Sequence, residues 1–417
     1  MSDMPITLGT NWGGNHTYRA SLIARPSRRD DLRQLVGGTD RLAAVGSRHS
    51  FNTIGDADSL VDLSGLSTPP DFDPETGLVA ISGSTTYTDV AFALSAAGRA
   101  LHNLASLPHI SVAGGVATGT HGSGSDVGNL ATAVEAIELL TSVGDFVTLQ
   151  RGDPDFEGAV VNLGALGLVT QISLRTEPAF DVAQTVHDGL SWATLTGSFD
   201  EIMSSATSVS VFTRWGDAPG ELWRKQRTDV VSPVEGDLFG TSPAMTPRHP
   251  IPGIDASACT EQGGRPGAWW NRLPHFRADA VPSNGAEIQS ECFVDRGDSA
   301  AAIEALRSIG PQLADTLMIS EIRTIAADDY WMSPCHARTS TAFHFTWKLD
   351  PPAVADVVEL VGQALAPFGV RHHWGKAMPS DWGAFGNYER LADFLRLKQR
   401  LDPTNTFTTP WFSQHIG

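Results

Sequence analysis

One histidine lies in a loop whose neighbours suit contact with a cofactor. His49 follows the apolar run 42–45 and the turn residue Gly46, and Ser47 and Ser50 flank it. A glycine lets the backbone approach a ligand closely, serine hydroxyls donate hydrogen bonds to phosphate oxygens, and an imidazole titrates near neutral pH. These residue types in this order predict a cofactor-binding loop at a strand end, with the His49 imidazole available for chemistry.

A second segment, 105–124, consists mainly of small residues. Glycine-rich backbone can wrap around a flat or phosphorylated ligand with its amide N–H groups pointing inward. The segment lacks the G-x-G-x-x-G spacing of dinucleotide-binding folds, which disfavours an NAD-dependent dehydrogenase. Composition alone leaves two interpretations open, a ligand-binding segment and a glycine-rich surface loop.

Polar side chains recur at every second position of three strand-like runs. Glu321 and Arg323 form one such pair, His344 and Thr346 form another, and Gln289 lies between two acidic residues. Alternate residues of a strand point to the same face, so each set shares one side of its strand. The mixture of side chains favours a floor that binds hydroxyl groups. A solvated sheet face with charges paired across strands stays open as the alternative.

Near the C-terminus, Lys376 follows a glycine and an aromatic residue, a position from which it can reach a buried anion or a reduced flavin. The adjacent His372 and His373 are equally typical of a surface pair. The chain has no H-E-x-x-H motif, which disfavours a metalloprotease-type zinc site, and no metal is expected. It has no G-x-S-x-G motif either, which disfavours a hydrolase.

The elements that must position these residues are short and separated by many glycines and prolines. An alternation of strands and helices in the second half predicts a sheet with helices on one face. Strands are predicted at 41–45, 60–63, 78–82, 168–175, 287–294, 317–325 and 342–349, and a hairpin at 133–149 that turns at Gly144 and Asp145. Helices are predicted at 86–97, 299–309, 352–366 and 391–401, and 111–128 is predicted to be a loop region.

Length and charge restrict the class of protein. A chain of 417 residues is long enough for two domains. The net charge of −18 disfavours nucleic acid and anionic membranes as partners. The odd number of cysteines, Cys259, Cys292 and Cys335, disfavours a disulfide framework and suits a reducing compartment. Residues 1–5 lack the character of a leader and no stretch is apolar enough to span a bilayer, so we expect a cytoplasmic protein, with a monomer plausible.

Three blocks together resemble the vanillyl-alcohol-oxidase-type (PCMH) FAD flavoproteins, and within them the alditol oxidases. The blocks are G-S-x-H-S at 46–50, the small-residue segment 106–122, and H-W-G-K at 373–376. The similarity extends over nearly the whole chain. It implies an α+β, two-domain PCMH-type fold, with an FAD-binding domain of two α/β subdomains at 1–177. A substrate-binding cap on a mixed or antiparallel sheet would occupy 178–370, and 371–417 would return to the FAD domain.

The resemblance also implies where FAD is held. In the family, the histidine of the first block carries FAD through a covalent bond to the 8α-methyl group, which here means His49. The implied FAD contacts are Ala44, Val45, Gly46, Ser47, Arg48, His49, Ser50, Ser106, Ser111, Gly114, Thr118, Gly119, Thr120, His121, Val169 and His373.

The implied reaction is oxidation of a terminal CH–OH of a neutral polyol, with O2 reduced to H2O2. Alkoxide character must be stabilised where it develops, and Arg323 and Lys376 are the candidate cations. His344 is the candidate base because imidazole titrates near neutral pH, and Glu321 completes the catalytic set. Substrate contacts carry over to Ser106, Gln289, Glu321, Arg323, His344, Thr346 and Lys376.

Two positions depart from the family pattern, and two other functions stay open. Arg48 is a bulky cation where a smaller residue is common, and the tail lacks the asparagine that often follows the phenylalanine, here Phe407. One alternative is a sugar-1,4-lactone oxidase or dehydrogenase of the same family, although Glu321 and Lys376 favour an open polyol. The other is an inactive flavin-binding or carbohydrate-binding protein.

Overall fold

The computed structural model describes residues 9–230, 238–280, 286–380 and 386–417. Every candidate site residue falls within these ranges. The expectation about a leader sequence concerns residues 1–5, which lie outside the described residues.

Strands and helices are interspersed along the described chain. The strands are β1 (Leu22–Ala24), β2 (Leu42–Ala44), β3 (Ser59–Val61), β4 (Asp71–Asp73), β5 (Leu78–Ser82), β6 (Arg99–Ala100), β7 (Val134–Leu140), β8 (Phe146–Gln150), β9 (Leu168–Arg175), β10 (Glu177–Pro178), β11 (Asp181–Leu190), β12 (Ser208–Thr213), β13 (Gly220–Arg227), β14 (Ser242–Pro243), β15 (Pro266–Ala268), β16 (Glu287–Asp295), β17 (Leu317–Ile325), β18 (Ser340–Lys348) and β19 (Arg371–His372). The helices are α1 (Arg29–Gly37), α2 (Tyr87–Ala96), α3 (Val112–Ala117), α4 (Phe156–Val160), α5 (Trp192–Gly197), α6 (Phe199–Met203), α7 (Ser299–Leu313), α8 (Pro351–Leu365), α9 (Leu391–Leu401) and α10 (Pro410–His415).

Two sheets in the N-terminal part carry the first predicted strands. A five-stranded antiparallel sheet has the order β4-β5-β9-β7-β8, and a small parallel sheet has the order β1-β3-β2. The predicted strands and the hairpin of β7 and β8 are confirmed. Helix α2 is confirmed too, and it begins with a capping box in which Thr86 and Asp89 bond each other's backbone N–H groups. Its residues Val90 and Leu94 are buried in the core that the larger of these sheets shares.

A nine-stranded sheet forms the other half of the molecule. Its order is β14-β11-β13-β12-β17-β18-β16-β19, with β15 paired to β11. Helices α5 to α8 contribute buried residues to one apolar cluster with aromatic side chains of β18, including Phe345 and Trp347. Helices therefore cover one face of this sheet, as predicted, and the opposite face carries the polar residues.

The C-terminal segment packs back onto the N-terminal part. Trp374, Phe394 and Trp411 belong to the same buried core as Val90 and Ile137. The segment after α8 thus returns to the first half of the molecule, and it brings 373–376 close to the loop that contains His49. Within the described residues, each helix is too short or too polar to cross a bilayer.

Three regions named here differ from the sequence prediction. The predicted loop region 111–128 contains helix α3, which packs closely against Tyr87 at Gly115, where a Cβ atom would lie 3.2 Å from the Tyr87 ring. Strands β12 and β13 were not predicted within 190–285. Strand β13 shows no alternation of apolar and polar residues, whereas Ser208 to Val211 of β12 do alternate, so only the signal for β12 was present in the sequence. Helix α7 also continues past the predicted end at 309 to Leu313.

Candidate active site

A cavity of about 300 Å³ lies between the two halves of the molecule. Its volume is within the range of small-molecule sites. The predicted site residues in its wall are Ala44, Val45, Gly46, Ser47, Arg48, His49, Ser50, Ser106, Ser111, Gly114, Thr118, Thr120, His121, Val169, Gln289, Glu321, Arg323, His344, Thr346, His373 and Lys376. Gly119 does not line the cavity, and a Cβ atom built there would lie 2.9 Å from the ring of Pro334.

The floor of the cavity is a row of ionisable residues across three neighbouring strands. Glu291 on β16 and Glu321 on β17 lie directly opposite His344 on the central strand β18. His344 is 8% exposed and Glu291 is 1% exposed. The alternative of a solvated sheet face is therefore wrong, and the interpretation as a polar binding floor fits the structure.

Glu291 is the centre of a buried charge cluster. Its carboxylate accepts hydrogen bonds from the Arg323 guanidinium and from Lys376 Nζ at 2.8 Å, and His121 Nε2 lies 3.3 Å away. Burial would raise the pKa of Glu291, but Lys376 and then Arg323 hold that pKa well below its ordinary value. The carboxylate is thus an anion that fixes both cations in place.

His344 is held as a neutral ring. Lys376 Nζ lies 2.9 Å from His344 Nδ1, and His344 Nε2 lies 3.2 Å from Thr346 Oγ1. An ammonium group only donates, so Nδ1 carries the lone pair and Nε2 carries the proton. Burial, and next the charge of Lys376, hold the pKa of His344 well below its ordinary value. A neutral imidazole with its lone pair beside Lys376 can accept a proton in the cavity.

Glu321 is the second carboxylate of the floor. His275 Nε2 is 3.0 Å from Glu321 Oε1, and Arg323 Nε is 3.6 Å from Glu321 Oε2. Burial would raise the pKa of Glu321, but Arg323 and His275 outweigh it and keep the pKa below the ordinary value. Glu321 is therefore an acceptor for hydroxyl groups that enter the cavity.

The opposite wall of the cavity, which we call the cradle, is formed by the His49 loop (44–50) and the small-residue segment (105–124), whose backbones lie close together. Ser47 Oγ accepts a hydrogen bond from the backbone N–H of Ser111 at 3.0 Å, which joins the first loop to the small-residue segment. A Cβ atom at Gly46 would lie 2.4 Å from Ser111 Oγ, and one at Gly114 would lie 2.8 Å from it. The segment is buried around Val116, so the alternative of a glycine-rich surface loop is wrong.

The imidazole of His49 lies within this cradle. Its Nδ1 is buried and makes no hydrogen bond of good geometry among the described residues, and the only group that counteracts the effect of burial on the ring is the backbone of Ser47. Burial lowers the pKa of His49 to about 4, so the ring is neutral. The ring stacks on Trp12, with centroids 5.3 Å apart and planes inclined by 22°. The preceding Arg48 has φ 61°, a conformation that is uncommon for residues other than glycine and is enriched at functional sites.

The cradle fits a flavin dinucleotide. A buried imidazole nitrogen without a partner is costly unless a ligand satisfies it, and His49 Nδ1 is such a nitrogen. Gly46 lines the cavity and has no side chain, so its backbone is open to contact with a ligand. The histidines of the C-terminal segment belong to this side as well, because His373 Nε2 is 3.3 Å from Thr120 Oγ1. His372 and His373 are 1% and 5% exposed, so the alternative of a surface pair is wrong.

Sequence reasoning missed three residues of the site. Glu291 shares a face with Gln289, and that alternation could have revealed it. His275 and Trp12 also line the cavity. Both lie in stretches without a periodic pattern, so the sequence offers no signal for them. In the described ranges, no group of three or more His, Cys, Asp or Glu residues is arranged to hold a metal ion.

Comparisons with known proteins agree with this geometry. The model of the FAD binding domain family matches residues 20–150, and the model of the D-arabinono-1,4-lactone oxidase family matches residues 287–415. The chain is 43% identical over 409 residues to the alditol oxidase of a Streptomyces species, covering 96% of this chain and 97% of that protein. It is 34% identical to the L-gulono-1,4-lactone dehydrogenase of Mycobacterium tuberculosis, covering 98% and 99% of the two chains.

Solved structures show the same fold at low sequence identity. Cholesterol oxidase from B. sterolicum superimposes with a TM-score of 0.78 at 12% identity, covering 98% of this chain and 96% of that chain. The predicted α+β, PCMH-type FAD-binding fold is thereby confirmed.

Proposed function

Since the chain belongs to the alditol oxidase family of FAD-dependent oxidoreductases, we propose that it oxidises a terminal primary hydroxyl of alditols to the aldehyde. Xylitol and sorbitol are the proposed substrates, and glycerol is a smaller one. Oxygen is the proposed electron acceptor, with hydrogen peroxide as the second product. The observation that carries the proposal is the row of Glu291, His344 and Glu321, which faces the His49 cradle across a single cavity.

FAD is the cofactor that this cradle would hold. FAD supplies the acceptor for the hydride of the alcohol carbon and returns the electrons to oxygen. We assign contacts with FAD to Ser47, Ser111 and Gly114, together with the other cavity residues of 44–50 and 118–121. His49 Nδ1 is the proposed point of covalent attachment, because it is buried in the cradle without a partner among the described residues.

Substrate roles follow from the charges of the floor. A primary alcohol is a very weak acid, so cations must stabilise the oxygen as negative charge develops on it. Arg323 and Lys376 supply these cations, and Glu291 keeps both directed at the cavity. The hydroxyl groups further along the polyol are assigned to Glu321, Ser106, Thr346 and Gln289. Several such partners reject a chain without hydroxyls more strongly than an apolar pocket does.

His344 is the proposed base. Its one lone pair at Nδ1 accepts from Lys376 Nζ, so a substrate hydroxyl oxygen that takes over this donor would leave the lone pair free to receive the hydroxyl proton. The hydroxyl proton would pass to Nδ1 while Lys376 stabilises the oxygen left behind. The proton on Nε2 stays on the ring and is donated to Thr346 Oγ1. This hydrogen bond holds the orientation of the ring.

The proposed domains follow the sheets and cores. We assign residues 1–177 to the FAD-binding domain and 178–370 to the cap, with 371–417 returning to the FAD domain. The separate apolar clusters that contain Val90 and Phe345, and the packing of Trp411 with the first, support this division. Residues Phe180, Trp269 and Trp331 of the cap range also pack in the first cluster, so the cap contacts the core of the FAD-binding domain there.

A lactone oxidase or dehydrogenase is the second candidate, since the C-terminal part matches the D-arabinono-1,4-lactone oxidase family. The experiment supplies purified protein with xylitol, sorbitol, glycerol or L-gulono-1,4-lactone and measures hydrogen peroxide and anaerobic flavin bleaching. Faster bleaching by the alditols than by the lactone is the expected result. Preference for the lactone would replace the first function with the second, and bleaching by neither would exclude both.

Covalent attachment is tested by acid precipitation of the purified protein. A yellow pellet is expected from the wild type, and a colourless pellet from His49→Ala. A colourless wild-type pellet would exclude the covalent bond without excluding bound FAD.

A further inference from the structure

Lys225 is a buried lysine to which the proposed reaction gives no role. It lies on β13, is 3% exposed, and extends toward the loop 273–275. Its Nζ donates to the carbonyl oxygens of Leu273 and Pro274 and to His275 Nδ1, the last at 3.2 Å. An ammonium group has three protons, and these three acceptors use all of them.

The contact with Lys225 determines which nitrogen of His275 carries the proton. Because the ammonium only donates, Nδ1 must accept, and the proton of the neutral ring is on Nε2. This Nε2–H points at Glu321 Oε1 at 3.0 Å. Phe212 and Trp223 hold the ring by edge contacts at centroid distances of 5.4 and 5.5 Å, so the imidazole cannot easily turn.

The charge of Lys225 restricts this chain of hydrogen bonds to one range of pH. Burial lowers the pKa of Lys225 to about 7, although Glu321 and Cys259 raise it, and Arg323 lowers it further, so the ammonium that only donates is the main form below that pH. Burial and then Lys225 lower the pKa of His275 to about 4, so His275 is a neutral ring and not a second cation.

We propose that Lys225 is a positioning residue for the substrate: through His275 it keeps the Glu321 carboxylate aligned as an acceptor for a substrate hydroxyl. This inference rests on the proposed function. Without the ammonium, His275 can carry its proton on Nδ1. Its Nε2 lone pair then faces the carboxylate, and two acceptors oppose each other at hydrogen-bond distance. Glu321 must then turn away or take up a proton, and in either case a polyol loses one of its partners.

Kinetics of the flavin-loaded enzyme test the inference through a double-mutant cycle with xylitol. Lys225→Met is expected to raise KM about tenfold, as for loss of one hydrogen bond to a charged group, and to change kcat less than KM. Glu321→Gln should raise KM as well. In the double variant the two effects should not multiply, because both act on the same contact. Multiplicative effects would overturn the inference.

Lys398→Met is the matched control. Lys398 is also buried, at 6% exposed, but it donates to Asp402 and Asn405 away from the cavity. This variant is expected to lower stability and to leave KM for xylitol unchanged. An equal rise of KM in Lys398→Met would show that loss of any buried lysine disturbs the site, and the specific role of Lys225 would be wrong.

The proton position on His275 gives a readout that does not depend on activity. At a pH below the Lys225 pKa of about 7, nitrogen NMR of ring-labelled flavin-loaded protein, assigned with His275→Gln, should show an Nε2–H ring in the wild type. Lys225→Met should shift this signal toward the Nδ1–H form. An Nδ1–H ring in the wild type would overturn the inference, even if Lys225→Met does not fold. An Nε2–H ring in a protein that oxidises no alditol would instead reject the proposed function alone.

Discussion

Glu291 is the carboxylate that both cations of the cavity share, and its removal would leave Arg323 and Lys376 buried without a counter-charge. Breaking a buried ion pair on one side costs about 3–5 kcal/mol. We therefore expect Glu291→Gln to lower the free energy of unfolding by an amount of that order at neutral pH, as measured by urea denaturation. Glu287→Gln is the control, because Glu287 lies on the same face of β16 and accepts a hydrogen bond from the neutral amide of Gln289.

The effect of Glu291→Gln should depend on pH in one direction. The pKa of Glu291 in the folded protein is below its ordinary value of 4.5. The contribution of the carboxylate to stability is then complete above 4.5 and is lost as the pH falls through the folded pKa. The difference between wild type and variant should narrow in acid. A difference that widens in acid would show that Glu291 is protonated in the folded protein.

His344 makes a second prediction at the scale of a residue. His344→Ala should slow flavin reduction by xylitol about 10²- to 10⁴-fold, the usual contribution of a general base, with FAD still bound. His187→Ala is the control, since His187 is a buried histidine of β11 that does not line the cavity. An unchanged reduction rate in stopped flow would remove His344 from the role of base.

The pH dependence of the same step follows from the pKa of His344. Burial and the Lys376 charge hold that pKa well below the ordinary value of 6.5, so the His344 imidazole is unprotonated at pH 6.5 and above. The wild-type reduction rate should not fall through loss of this base between neutral pH and 6.5. A fall centred near 6.5 would indicate a solvated histidine as the base.

At the scale of an element, the loop after β2 packs closely against the segment before α3 at Gly46. Gly46→Ala would place a methyl group 2.4 Å from Ser111 Oγ and 3.1 Å from Ser111 Cβ, so the Ser111 side chain must turn or the loop must shift, and overpacking of this kind costs about 1–3 kcal/mol. The ratio of flavin to protein after purification should therefore fall. Gly55→Ala is the matched control, because Gly55 also lines the cavity but has no atom within 4 Å of the added Cβ. Full flavin content in Gly46→Ala would contradict the assignment of this loop to FAD.

The elements differ in how far their sequences reveal them. Strands β16 to β18 alternate apolar and polar residues, and the sequence therefore predicts both their position and the shared face of Glu321 and Arg323. Strand β13 could not be found in this way, because Arg224 and Lys225 are charged and yet buried. A charged residue in a sequence predicts exposure, and only the tertiary contacts of these two side chains reverse that expectation.

The same limit explains which site residues the sequence left out. The resemblance to a family predicted residues on both sides of the cavity, because its motifs contain His49 of the cradle and Lys376 beside the floor. The partner that orients Glu321 is His275, which lies in a proline-rich stretch with no periodicity. His275 and Glu321 are 46 residues apart along the chain, and packing between β13 and the loop 273–275 brings them together.

At the scale of the whole molecule, the cavity exists only where the chain returns on itself. Asn52 donates from its side chain to the carbonyl oxygens of Trp374 and Lys376, both at 2.8 Å, and so ties the His49 loop to the C-terminal segment. Glu291 completes the link, because its backbone oxygen accepts from the N–H of His373 at 3.0 Å. Both halves of the molecule and the tail thus contribute to one site, and the site residues cannot be assembled by either half alone.

The net charge of the whole molecule distinguishes a neutral substrate from a charged one. A protein with a net charge of −18 repels anions over distances set by the Debye length, which falls from about 30 Å at 0.01 M salt to about 10 Å at 0.1 M. A neutral alditol feels no such force, so kcat/KM for xylitol should change by less than about twofold over this range of salt. An aldonate, which has similar hydroxyls and a carboxylate, is the control, and its inhibition should strengthen as salt rises because repulsion is screened. A steep salt dependence for xylitol would contradict this prediction, because the net charge of the protein does not steer a neutral polyol.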